Sequence, residues 1–420
     1  MKYVILGNGP AGVIAAETIR KRAPTAEITL IGAEDAPPYS RMAIPYLLMG
    51  NIQESGTYLR KDPAHFAKLN IKQLHAKVKA LDSKSKQVVF DGQAHPAMTF
   101  DKLLIATGSV PVKPPIPGID LPGVHPCWTL EDARAIAQLA KPESRVLQMG
   151  AGFIGCIILE ALASRKVELS VVEMGDRMVP RMMTERAGGM IKQWVQSRGV
   201  QVFTDTKVLE ISQGGDCLKV ALSNGQVIEV DLVISATGVR PNIAFLKDSD
   251  LEIHTGILVD ERMQTSHPDI YAAGDVTESI DFSTGHRIVN AIQPNAAEQA
   301  QIAGIAMTGG DAKSLGALQI NVLDTLGLIS ASFGLWAGAD GGDHVEIIDV
   351  ERYKYLRLEF LNDVLVGATT VGSTEHIGVL RGLIQSKTAL GDWKAHLIAN
   401  PTQAMEAYLA KAQAQSAWMN

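Results

Sequence analysis

One short unit occurs twice in this chain, and it constrains the fold more than any other feature. Residues 3–6 are an apolar run that ends in Gly7, Asn8, Gly9, Pro10, Ala11 and Gly12; a helical pattern follows to residue 22, a second apolar run spans 28–31, and the acids Glu34 and Asp35 come next. Residues 145–149 are again strand-like and end in Gly150, Ala151, Gly152, Phe153, Ile154 and Gly155; a helical pattern covers 156–164, an apolar run covers 167–172, and Glu173 closes the unit. Strand, glycine turn, helix, strand and acid form the pattern of a dinucleotide-binding βαβ unit. The first glycine permits the tight turn, the second lets backbone N–H groups approach a pyrophosphate, and the third lets helix and strand pack closely. The helix N-terminus then faces the phosphate charge. The acid accepts hydrogen bonds from ribose hydroxyls. A lone glycine turn is a weak signal; two in the same strand–helix–strand–acid context are specific.

Three further apolar segments end in small-residue turns. Two are alike: residues 103–108, LLIATG, with Ala106, Thr107 and Gly108, and residues 232–238, LVISATG, closing on Gly238. The third, residues 270–275, IYAAGD, leaves Asp275 at the end of a buried strand. An unpaired carboxylate there is costly, so Asp275 is expected to meet a partner such as a ligand hydroxyl. The proline-rich stretch 110–122 reads as an interdomain connection.

With 420 residues, two or three domains are expected. A net charge of −6 and the lack of a long basic run argue against nucleic acid or an anionic membrane surface as partner. No apolar stretch reaches the roughly 20 residues of a membrane span. The N-terminal MKYVILGNGPAG runs straight into the first strand, with no signal peptide in view, and a cytoplasmic protein is expected. Cys127, Cys156 and Cys217 show neither CxxC nor CxxxxC spacing, so no metal, cluster or local redox-disulfide framework is predicted; they read as small packed residues.

The two glycine turns, the two ATG segments and the AGD segment, in this order, resemble the pyridine nucleotide-disulfide oxidoreductase superfamily. The resemblance implies an α/β protein with two Rossmann-like dinucleotide-binding domains, the FAD domain interrupted by the NAD domain, plus a C-terminal α+β domain. Its implied boundaries are 1–112 and 242–315 for FAD, 113–241 for NAD(H), and 316–420 for an interface and docking domain. It implies FAD contacts at Gly7, Gly9, Pro10, Ala11, Gly12, Glu34, Arg41, Val78, Ala106, Thr107, Gly108, Asp275 and Pro294. It implies NAD contacts at Gly150, Gly152, Phe153, Ile154, Gly155, Glu173 and Gly238.

Two stretches narrow the resemblance. Residues 37–50, PPYSRMAIPYLLMG, are similar to the flavin-side helix of coenzyme A-disulfide reductases and NADH oxidases, but Met42 stands where those carry a redox cysteine. Methionine forms no thiolate, disulfide or sulfenic acid, so that branch's thiol chemistry is absent. Residues 293–304, QPNAAEQAQIAG, resemble the helix of NADH:nitrite and NADH:rubredoxin reductases whose N-terminus points at the flavin pyrimidine. Its positive end would stabilise the reduced flavin's negative charge, and Pro294 suits a first helical position. Ala300 and Ile157 depart from the pattern, which usually has Gly and Glu there.

The C-terminal region is expected to hold strands at 328–333, 345–350, 353–360 and 364–371, then helices from about 375. Residues 376–384, HIGVLRGLI, resemble the C-terminal domain of rubredoxin- and nitrite-reductase flavoproteins, and 401–414 reads as an amphipathic helix. Trp336, Trp393 and Trp418 could anchor a protein partner or a second copy of the chain, giving a homo-oligomer.

These features imply an FAD-dependent NAD(H):acceptor oxidoreductase with no side chain assigned as catalytic and no metal. The implied partner is a redox protein: rubredoxin, ferredoxin or an iron–sulfur subunit. A flavin subunit of a larger complex, such as phenylglyoxylate:NAD oxidoreductase or a tungsten aldehyde oxidoreductase, is equally open. The alternatives are a thiol-dependent disulfide reductase or NADH oxidase, and a non-catalytic FAD-binding redox sensor.

Overall fold

Tyr3, Val4, Ile5 and Leu6 are all buried, as expected of a parallel strand covered on both faces. The structure, a computed structural model, describes residues 1–417, and of 413–417 the backbone alone; Trp418 lies outside the described residues. Lys2–Leu6 is the middle of five parallel strands, ordered Ile270–Ala272, Lys102–Ile105, Lys2–Leu6, Glu27–Gly32, Ile71–His75. The chain builds outward on one side of Lys2–Leu6 and then returns to its other side. The order therefore reverses between Lys2–Leu6 and Lys102–Ile105, and in such sheets ligands bind in the crevice at the carboxyl ends of the strands where this happens. Helix Pro10–Arg22 packs against helix Gln293–Met307. Gly304 permits that approach, because a Cβ there would stand 2.9 Å from Thr18 Cβ. This sheet belongs to a compact unit made of Met1–Val112 and Val239–Ala317.

A second unit contains Lys113–Gly238 and the chain from Leu318 onward. It repeats the plan: Gln201–Phe203, Glu168–Val172, Arg145–Met149, Leu232–Ser235 and Val124–Pro126 form a parallel sheet that reverses between Arg145–Met149 and Leu232–Ser235.

The C-terminal part of this unit is an antiparallel sheet, ordered Ile320–Thr325, Leu328–Gly334, Val364–Val371, Lys354–Leu361, Asp343–Asp349. Ile320–Thr325 was not expected as a strand, and the expected strand at 345–350 is Asp343–Asp349. The tail begins as a 3-10 turn, Pro401–Gln403, before helix Ala404–Ala417. The sheet packs through Ile320–Thr325 on helix Phe153–Ser164 and through Val364–Val371 on helix Glu185–Ser197. Trp194 fixes the contact: its indole N–H donates to Leu326 O at 3.1 Å, and its ring meets Tyr353 edge-on. No helix among the described residues is long and apolar enough to cross a membrane.

Candidate functional site

In the first unit the three glycines do different work. Gly7 has φ +107°, and a Cβ on it would lie 2.0 Å from Ala106 O. A Cβ on Gly12 would lie 1.8 Å from Gly7 O. These two positions lock the turn against its own helix and against the end of Lys102–Ile105, where Ala106 N–H donates to Leu6 O at 2.7 Å. Gly9 differs: φ is −73° and no atom lies within 4 Å of its would-be Cβ. The open space lies at the N-cap of Pro10–Arg22, with Pro10 at the first helical position and Ala11 and Gly12 buried behind it.

Thr107 and Gly108 continue the same edge. Thr107 Oγ1 donates to Asn242 O at 2.9 Å, and Asn242 N–H donates to Gly108 O at 2.9 Å. Asp275 follows Ile270–Ala272, and Ser109 Oγ donates to its Oδ2 at 2.7 Å. Burial pushes the Asp275 carboxyl above its ordinary value, while the Ser109 hydrogen bond and the positive charge of Arg41 pull it down. Glu34 is held rather than free: Arg41 Nη2 and Tyr39 OH each donate to it at 2.6 Å. Val78 opens strand Val78–Asp82, half-buried against the core of the unit, two residues after Ala76 N–H donates to Gly32 O. Pro294 sits in the first turn of Gln293–Met307, whose Gln293 accepts from Ser40 Oγ at 2.6 Å. The sheet edge thus gathers Gly7, Ala106 and Asp275, and hydrogen bonds draw Glu34 and Arg41 together.

The second unit repeats this geometry. Gly150 has φ +98°, and its Cβ would lie 2.4 Å from Ala236 O; a Cβ on Gly155 would lie 2.4 Å from Gly150 O; Gly152 again faces open space. Phe153 and Ile154 are the half-buried first residues of Phe153–Ser164, and Gly238, φ +109°, follows the neighbouring strand. Glu173 accepts from Ala151 N–H at 2.7 Å and from Gly175 N–H at 2.8 Å, which places the carboxylate beside the glycine turn. Each oxygen keeps a lone pair for a ribose hydroxyl. Arg177 donates to Met183 O and Pro180 O and pairs with Asp176, so its charge is turned into its own loop.

Several positioning side chains escaped the sequence reading. Gln148, wholly buried, donates to Gly150 O and Gly155 O, each at 2.9 Å, and so braces the second turn from below. A polar residue inside the apolar run RVLQM was its signal. Ser109 and Gln299 carried none, because their partners are distant in sequence.

Cys127, Cys156 and Cys217 all fall in the second unit. Burial first, then the nearby charge of Asp132, pushes the Cys127 thiol up to about 12; burial and then Glu173 do the same to Cys156. Such thiols stay protonated and unreactive. Met42 lies exposed in the turn Arg41–Ala43.

The residues present fit two dinucleotides. Each unit sets an open, Cβ-free approach before a helix N-terminus, with a carboxylate at the end of the second strand. Asp275 supplies an extra half-buried acceptor in the first unit.

Residues 1–303 match the family described as pyridine nucleotide-disulphide oxidoreductase. The chain is 32% identical over 410 residues to the NADH-dependent phenylglyoxylate dehydrogenase subunit epsilon of Aromatoleum evansii, covering 95% of each. It is 35% identical over 321 residues to an NADH oxidase of Methanocaldococcus jannaschii, covering 74% of this chain and 71% of that one. Among solved structures, an NAD-dependent persulfide reductase from A. fulgidus is similar with a TM-score of 0.86 and 30% identity, covering 93% of this chain and 78% of that one. Further relatives are ferredoxin--NAD(+) reductase components of dioxygenase systems.

Proposed function

The chain belongs to the pyridine nucleotide-disulphide oxidoreductase family, and from that premise we propose that it is the NAD-reactive flavin subunit of a larger cytoplasmic redox complex. It is an FAD-dependent NAD(H) oxidoreductase. FAD, when bound, exchanges hydride with NAD(H) and single electrons with an acceptor. In this reading Gly7, Gly9 and Gly12 present backbone N–H groups to the FAD pyrophosphate, and Asp275, steadied by Ser109, accepts from its ribityl hydroxyls. Glu34 accepts from the FAD ribose, with Arg41 beside it. Gly150, Gly152 and Gly155 hold the NAD pyrophosphate, and Glu173 accepts from its ribose. The partner is an iron–sulfur subunit or a small redox protein such as a ferredoxin or rubredoxin, met through residues 316–420.

The observation that carries this reading is the placement of sulfur. Met42 replaces the flavin-side thiol, and the first unit contains no cysteine. Electrons therefore have no thiol relay beside the first glycine turn and must leave for an external acceptor. The subunit role is supported by the similarity to subunit epsilon, which runs through 95% of both chains. The test is a variant with Cys127, Cys156 and Cys217 all changed to Ser. The purified yellow protein should be bleached by NADH without air, should reduce one-electron dyes quickly and should reduce disulfides hardly at all. The triple variant should keep dye turnover within about threefold, since burial holds the Cys127 and Cys156 thiols protonated and all three cysteines belong to the unit that lacks the first glycine turn. A folded triple variant whose flavin NADH no longer bleaches would overturn the thiol-free mechanism.

A further inference from the structure

We infer that Gln299 is a positioning residue for FAD, acting through the turn that carries Asp275. Gln299 lies two turns into Gln293–Met307 and is 2% exposed. Its Oε1 accepts from Gly274 N–H at 2.8 Å, and its Nε2 donates to Ser279 Oγ at 3.0 Å. The amide orientation is fixed, because Gly274 N–H can only donate. Thr277 Oγ–H lies 3.0 Å from the same Oε1 and 2.8 Å from Gly274 O, and divides its one proton between them.

Three features make this more than a core hydrogen bond. Gly274 has φ +85°, a left-handed turn that sets the direction in which Asp275 leaves the strand. The turn also lies against both helices: a Cβ on Gly274 would touch Ala11 Cβ and Ala296 Cβ at 3.4 Å, an ordinary packing distance. Asp275 itself is held from the other side by Ser109. Gln299 therefore fixes the main chain on one side of the carboxylate while Ser109 fixes the carboxylate itself. Both hold their partners through bonds made within the protein itself. Such preorganisation lowers the ordering cost of binding.

The inference rests on the FAD reading above and is tested by flavin uptake. Apoprotein is titrated with FAD, following quenching of flavin fluorescence, for the wild type, Gln299→Leu and Gln299→Glu. The melting temperature of each apoprotein is recorded alongside. Q299L leaves Gly274 N–H buried without an acceptor. In the free variant the turn can relax to re-pair Gly274 N–H with water, and FAD binding must reverse this, so the FAD Kd should rise about 5- to 150-fold, the factor equivalent to the roughly 1–3 kcal/mol that re-burying an unpaired N–H costs. Q299E keeps an oxygen facing Gly274 N–H and should restore the Kd to within about fivefold of wild type, whatever its melting temperature. Q299L binding FAD like the wild type would sink the inference and leave the FAD reading standing. So would equal losses in Q299E and Q299L that track their melting temperatures, since that is the behaviour of a merely structural glutamine. Should Q299L not fold, the rescue still decides: Q299E binding FAD more than about fivefold more weakly than the wild type counts against the inference, and binding within about fivefold supports it. Wild-type apoprotein that takes up no FAD overturns the underlying reading, and the inference with it.

Discussion

At the residue scale, the glycines of each turn separate into two physical classes. Gly7 and Gly12 have no room for a side chain, whereas Gly9 has ordinary backbone angles and empty space in front of it. Gly9→Val should therefore fold normally and fail only when FAD is added. Absorbance at flavin wavelengths should vanish from the purified variant while its apoprotein melts within a few degrees of the wild type. Gly12→Val should instead fail to fold, because its Cβ falls 1.8 Å from Gly7 O. A yellow Gly9→Val protein would remove this turn from the flavin site. Glu173 supports a second prediction. Its carboxylate lies against the second turn, and of the two arginines in the loop that follows, Arg177 is consumed by Met183 O, Pro180 O and Asp176, while Arg181 is exposed. NADH should be strongly preferred, and Glu173→Ala should narrow the NADH-to-NADPH ratio of kcat/KM about 10- to 150-fold, the worth of a charged hydrogen bond. An unchanged ratio would place coenzyme selection elsewhere.

At the element scale, helix Pro10–Arg22 ends on a side chain that a helical pattern reads as solvent-facing. Arg20 is buried, and its guanidinium donates to Leu69 O, Ala23 O, Pro24 O, Ala26 O and Asn70 O. One residue thus satisfies the carbonyls of the helix exit and of the loop before Ile71–His75. Arg20→Met keeps the packing volume and strands these acceptors, and should cost about 2–4 kcal/mol in denaturant unfolding. A loss below about 1 kcal/mol would mean that water replaces the guanidinium. Both βαβ units were legible because apolar strands, glycine turns and closing acids are local signals. Ile320–Thr325 was not legible, for a specific reason. Its hairpin turn is Leu326-Gly327, with φ +54° and +85°, where a first residue of Asn or Asp would have marked the turn. Asp324 Oδ1 accepts from Gly327 N–H at 2.9 Å and compensates for the unsuitable leucine. Gln299 and Ser109 escaped because a side chain that braces a turn from a distance leaves no local pattern.

At the scale of the whole molecule, the C-terminal sheet is built into the second dinucleotide fold. Thr184, the cap of Glu185–Ser197, donates to Tyr355 OH at 3.1 Å, and Tyr355 donates on to Glu346 at 2.8 Å. Arg186 closes the set on the same Glu346, and Trp194 inserts beside Leu326 and Tyr353. This packing is not legible in the sequence, since the partners of Thr184 and Trp194 lie more than 130 residues away. A chain stopped after Ala317 should therefore be hurt in its second half. The first unit would keep its own bonds: Gly7 against Ala106, Ser109 on Asp275, Gln299 on Gly274. The helices Phe153–Ser164 and Glu185–Ser197 would lose the strands they pack on, exposing apolar surface that includes the Trp194 ring. The shortened protein should still take up FAD, while its KM for NADH rises by at least tenfold and hydrophobic dyes bind it. Trp194→Ala in the full chain should move KM the same way by a smaller factor, without touching FAD content. If the shortened chain instead turns over NADH with an unchanged KM, the C-terminal sheet contributes nothing to the nucleotide fold it covers, and its packing there serves only the partner interface.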